Sequence, residues 1–150
     1  MPGCGKRLAA RAAAFLWERK LARLDLEELA TRDPREWAGA LDAALDEAER
    51  AAPCVLLVPE LDRFARQATA GSAAARVMGR LVTWLRRSRT VAAMITAVEL
   101  AALPEELKRR GELLDEVFLL DLPTARERWQ IWPFALQRKG RTAAGYDGAA

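Results

Sequence analysis

Ala52-Pro53-Cys54-Val55-Leu56-Leu57-Val58-Pro59-Glu60-Leu61-Asp62 is the stretch on which the fold turns. Its centre is an unbroken apolar run bounded by Pro53 and Pro59, too short to cross a membrane and without the alternation of a strand that has one wet face. A strand buried on both sides of a parallel sheet reads in this way, because helices cover both of its faces. Glu60 and Asp62 follow the strand at once.

Upstream, Asp33-Pro34 marks a helix start, and Trp37, Leu41, Leu45 and Ala48 recur on one face until Pro53 ends the run. Residues 21–26 place Leu21, Leu24 and Leu26 around Arg23 and Asp25, which predicts a short strand. Residues 6–19 are rich in alanine and carry Leu8, Ala12, Phe15 and Leu16 at helical spacing. Downstream, Gly71-Ser72 opens a helix with Val77, Leu81, Trp84 and Leu85 inward and Arg80, Arg86 and Arg87 outward. Residues 91–96 and 117–120 are two more short apolar runs, read as strands. After Pro123 a last helix carries Trp129, Trp132 and Leu136 on one side, with Pro133 as a kink, and the tail from Gly140 through Gly145 and Gly148 is read as frayed. Alternating strands and helices predict an α/β fold, a parallel sheet built from right-handed crossovers.

Composition removes several functions. At 150 residues the chain holds one α/β core, and no apolar run approaches the ~20 residues of a membrane helix. MPGCGKRLAARAAAF has no long apolar segment of a secretory signal, so a cytoplasmic location is expected. The net charge is only +3, with arginines spread among acidic residues, which argues against nucleic acid as the main partner. Two cysteines, Cys4 and Cys54, and no histidine exclude a disulfide framework, a zinc ligand set and Ser-His-Asp or Cys-His catalysis.

Pro2-Gly3-Cys4-Gly5-Lys6-Arg7 stands at the start of the first helix. A phosphate-binding P-loop reads G-x-x-x-x-G-K-S/T: glycines let backbone N–H groups curl around phosphates, the lysine bridges them, and the hydroxyl holds magnesium. Here the leading glycine would fall before Met1 and Arg7 takes the hydroxyl position. Later segments come in matching order. Residues 52–62 resemble the Walker B stretch of AAA+ ATPases, with Glu60 kept and Pro59 in place of the aspartate. Residues 95–107 resemble the sensor-1 strand and its sequel, with Val98 where an asparagine is common. Arg109-Arg110-Gly111-Glu112-Leu113-Leu114-Asp115-Glu116 is similar to the stretch that supplies an arginine finger to a neighbouring subunit, with Glu112 at the finger position. Residues 120–128 resemble the junction between sheet domain and helical lid.

The resemblance implies a P-loop AAA+ core over residues 1–122 and the start of a helical lid over 123–150. It implies ATP as ligand, bound by Pro2, Gly3, Cys4, Gly5, Lys6 and Arg7, with Glu60 as the water-polarising base and a ring or homo-oligomer as the assembly. Arg7 and Pro59 remove both magnesium-binding groups; a guanidinium at that place neutralises phosphate charge itself, yet neither activates water nor reproduces octahedral coordination. Plainer readings stand beside these. Lys6 is then an ordinary first-turn lysine, Glu60 and Asp62 are surface acids paired with Arg63 or Arg66, Arg109 and Arg110 end a solvated basic segment, and Trp37, Trp84, Trp129 and Trp132 are core packing. The family's strand before the P-loop would precede Met1, leaving an unpaired slot in the sheet unless an upstream segment or a partner fills it. Three functions follow as expectations: ATP binding with absent hydrolysis, a scaffold subunit beside active AAA+ protomers, or a fragment of a longer ATPase.

Overall fold

The computed structural model describes residues 4–109, 111 and 113–141. Pro2, Gly3, Arg110, Glu112 and the tail glycines Gly145 and Gly148 lie outside the described residues. The described residues divide into two compact units, one within 5–119 and a smaller one of Cys4 with 120–141.

In the larger unit, three parallel strands lie in the order β1 (Lys20–Arg23), β2 (Cys54–Val58), β3 (Val91–Ile95). Register sets Lys20 opposite Cys54 and Cys54 opposite Val91, and Leu24 N–H extends the β1 ladder by donating to Leu57 O at 2.9 Å. Every residue of β2 is buried, as its unbroken apolar run predicts. Alternation sends Cys54, Leu56 and Val58 into the main core with Leu41 and Leu45 of α3 (Trp37–Arg50) and Val77 and Leu81 of α5 (Ala73–Arg87). Val55 and Leu57 point to the other face, and α1 (Lys6–Leu16) packs on β1 and β2 through the buried Ala10 and Ala14. Helices therefore cover both faces of a parallel α/β sheet.

Helix starts follow local chemistry. Ser72 Oγ accepts from Ala75 N–H at 3.0 Å and caps α5; Asp25 caps the single-turn α2 (Leu26–Leu29) by accepting from Glu27 and Glu28 N–H. That cap shortens the strand expected over residues 21–26: Leu24 and Leu26 are buried, but Leu26 belongs to the helix. One-turn α4 (Leu61–Ala65) was not foreseen, being too short for a helical period to show.

Three expectations need correction. Residues 117–120 form no strand, and Phe118 and Leu119 are 80% and 89% exposed. A strand exists only through its ladder, and this segment pairs with neither edge of the three-stranded sheet. On α1, Leu8, Phe15 and Leu16 are exposed, because two alanines provide the close approach to the sheet. In the smaller unit, α6 (Ala125–Gln137) runs through Pro133 and buries Leu136, but leaves Trp129 and Trp132 about half exposed, so these tryptophans are not core packing. Trp37 is buried against Phe64 as expected, and Trp84 is half-buried with its indole N–H donating to Glu49 at 2.7 Å. No described helix is long and apolar enough to cross a membrane.

Candidate functional site

Gly5 adopts φ +91°, a left-handed conformation that favours glycine, and it is the residue from which α1 departs. Its carbonyl accepts the first helical bond, from Ala9 N–H at 2.9 Å. The opening amides of an α-helix have no intrahelical acceptors and carry the positive end of its dipole, so this turn suits an anion. Lys6 and Arg7 occupy the first turn and add two cationic side chains, Lys6 half-buried and Arg7 exposed. Cys4 precedes the turn and is half-buried.

Across from this turn, β2 ends at Val58, buried Pro59 follows, and Glu60 takes φ +50°, ψ +44°. A residue with a β-carbon rarely adopts that conformation, and here two bonds from the neighbouring strand end hold it. Glu60 N–H donates to Thr96 Oγ1 at 3.0 Å, and Leu61 N–H to Thr96 O at 2.9 Å. Thr96 N–H in turn donates to Val58 O at 3.0 Å. The bend aims the Glu60 carboxylate at two arginines: Arg7 approaches Oε1 at 3.7 Å and Arg63 approaches Oε2 at 3.0 Å. Arg63 also reaches Glu27 at 3.4 Å. These pairs are partly solvated, so each contributes about 0–1 kcal/mol.

The structure thus brings Gly5, Lys6 and Arg7 to the strand end that carries Glu60. Glu60 is paired as the plainer reading expected, with Arg7 as a partner that reading did not name. Asp62 is a correction: it is 1% exposed and no surface acid, its Oδ2 accepting from Glu99 N–H at 3.2 Å. Arg66 pairs with Glu99 instead of with either acid of the stretch. Asp62 and Thr96 thereby tie the β2–α4 turn to the segment after β3, a role that sequence reasoning missed. The one signal for Thr96 was a hydroxyl ending an apolar strand; Asp62 gave none. Val98, at the expected sensor place, is 43% exposed and its side chain offers no hydrogen bond. Arg109 is exposed.

An open groove of about 860 Å³ lies elsewhere, between the acids Asp42, Asp46 and Glu49 of α3 and Arg76, Arg80 and Arg87 of α5. It shares no residue with the Gly5–Glu60 cluster, and Arg80 is already paired with Asp42. Trp84 likewise donates to Glu49 across it, and we attach no chemistry to it.

A family model described as "ATPase family associated with various cellular activities (AAA)" matches residues 1–122. The chain is 34% identical to the uncharacterized AAA domain-containing protein ycf46 of Pyropia yezoensis, over 97% of this chain and 30% of that protein. It is also 34% identical to the ycf46 protein of Trieres chinensis, over 90% of this chain and 28% of the other. An uncharacterized AAA domain-containing protein of Schizosaccharomyces pombe is 31% identical over 87% of this chain and 17% of its own length. The chain therefore spans less than a third of the curated relatives it matches.

Proposed function

Because the chain belongs to the AAA family of ATPases, we propose that it binds ATP at the turn into α1 and does not hydrolyse it. Nucleotide binding is what the family implies, and by the resemblance Pro2, Gly3, Cys4, Gly5, Lys6 and Arg7 are the stretch of sequence that binds it. One observation carries the loss of turnover. Glu60, at the place of the water-polarising base, has one carboxylate oxygen facing Arg7 and the other facing Arg63. A general base must turn a carboxylate oxygen to its water; Arg63 holds one of the two at 3.0 Å, and neither the Arg7 nor the Pro59 side chain offers an oxygen to a metal that would help place that water. Val98 adds no positioning amide and Glu112 replaces the finger arginine, whose loss in other NTPases removes a rate factor of about 10³ to 10⁵. We divide the chain at residue 122 into nucleotide core and the start of a helical lid.

Titration with a fluorescent ATP analogue, paired with a phosphate-release assay, tests this reading. Saturable binding without phosphate release is expected, and Glu60→Gln leaves the background rate unchanged. Turnover that Glu60→Gln abolishes would refute it.

A second reading, an interaction subunit that packs beside active AAA+ protomers, draws on the exposed Leu8, Phe15, Leu16 and Trp17 along and just after α1. Light scattering on the purified chain tests it: self-association that Phe15→Ser and Leu16→Ser dissolve is the expected result, and a monomer at all concentrations counts against a homo-oligomer.

A further inference from the structure

The divalent cation that P-loop ATPases hold beside the triphosphate takes oxygen donors from two places, a hydroxyl in the first helical turn and a carboxylate at the end of a neighbouring strand. Here the donor set does not fit. Arg7 stands at the first place and Pro59 at the second, and among the described residues no three acidic, cysteine or histidine side chains converge to hold a metal. The mismatch goes beyond missing ligands. Arg7 lies 3.7 Å from one oxygen of Glu60 and Arg63 3.0 Å from the other, so a dication approaching this carboxylate meets two positive groups.

We propose that this site takes the nucleotide triphosphate free of divalent metal, with Arg7 exchanging Glu60 for phosphate oxygens. The proposal rests on the reading that the chain binds ATP. Arg7 follows Lys6 directly, on the turn that Gly5 opens, and its side chain is 58% exposed, so it leaves its loose contact with Glu60 without disturbing the core. A phosphate offers the guanidinium two parallel charge-assisted bonds, a better partner than a carboxylate at 3.7 Å. Glu60 and the triphosphate then compete for the same guanidinium. Metal-free ATP becomes the preferred ligand, and magnesium, which neutralises the triphosphate before Arg7 meets it, gives no advantage.

The test is a titration of the full chain with a fluorescent ATP analogue in EDTA and again in magnesium chloride, repeated for Arg7→Ala and Glu60→Gln, with circular dichroism showing that each variant is folded. The parent is expected to bind in EDTA at least as tightly as in magnesium. Arg7→Ala weakens binding in EDTA by about tenfold or more, and Glu60→Gln, which removes the competitor, tightens it by about two- to fivefold. Binding about tenfold or more weaker in EDTA than in magnesium overturns the proposal and leaves ATP binding intact, as does a folded Arg7→Ala chain that binds in EDTA like the parent. No binding in either buffer overturns this proposal together with the ATP-binding reading beneath it.

Discussion

Glu60 sits where a β-carbon is unwelcome, at φ +50°, and left-handed backbone of this kind costs a non-glycine residue about 1–2 kcal/mol. Strain at such a place persists only when the surroundings over-determine it. Thr96 does so with its hydroxyl and its carbonyl together. Thr96→Val keeps the shape and removes the acceptor for Glu60 N–H, which should lower stability by about 1–3 kcal/mol in urea unfolding. The same change in Glu60→Gly, where the turn is no longer strained, should cost less. Neither residue's part in this turn could be read from its neighbours in sequence, because Glu60 and Thr96 meet only when β2 and β3 pair in the observed register, Val58 opposite Ile95.

At the scale of elements, the terminal helix is the one whose start was most fully written in the sequence. Thr124 accepts from Glu127 N–H, and Glu127 reaches back to the Thr124 N–H and hydroxyl, a reciprocal cap. The backbone bond from Thr124, then its hydroxyl, lower the Glu127 carboxyl below its ordinary value of 4.5. A depressed carboxyl contributes stability that is present above the unfolded value and lost as pH falls through the folded one. Helical signal from α6 should therefore decline in acid below about pH 4.5, and Glu127→Ala should show less of that decline, measured by circular dichroism. Residues 117–120 teach the opposite lesson. Val117, Phe118, Leu119 and Leu120 have strand composition, yet composition does not supply a partner edge.

For the molecule as a whole, the core runs from β2 through α3, α4 and α5, with Phe64 fully buried against Trp37. Phe64→Ala should cost about 3–5 kcal/mol by leaving a cavity where helices and sheet meet. Cys54 belongs to the same core, its thiol donating to Ala48 O at 3.3 Å, and burial raises its pKa above the ordinary 9.0. For a raised pKa the stability contribution is complete below the unfolded value and falls as pH rises through the folded one. A Cys4→Ser chain should consequently react slowly with a thiol reagent in buffer and fully in urea, and its unfolding midpoint should drop above pH 9 more steeply than that of Cys4→Ser combined with Cys54→Ala.

The sequence by itself determined the parallel α/β class, the central buried strand, the faces of α3 and α5 and the family, because apolar period, proline punctuation and motif order are local properties of the chain. Only the tertiary structure decided that Asp62 is buried, that Trp129 and Trp132 are exposed, that alanines and not Phe15 or Leu16 seat α1 on the sheet, and that Arg7 faces Glu60. These are meetings of residues far apart in sequence. The packing of helices on a sheet brings them together, and no local pattern encodes which cation arrives beside which carboxylate.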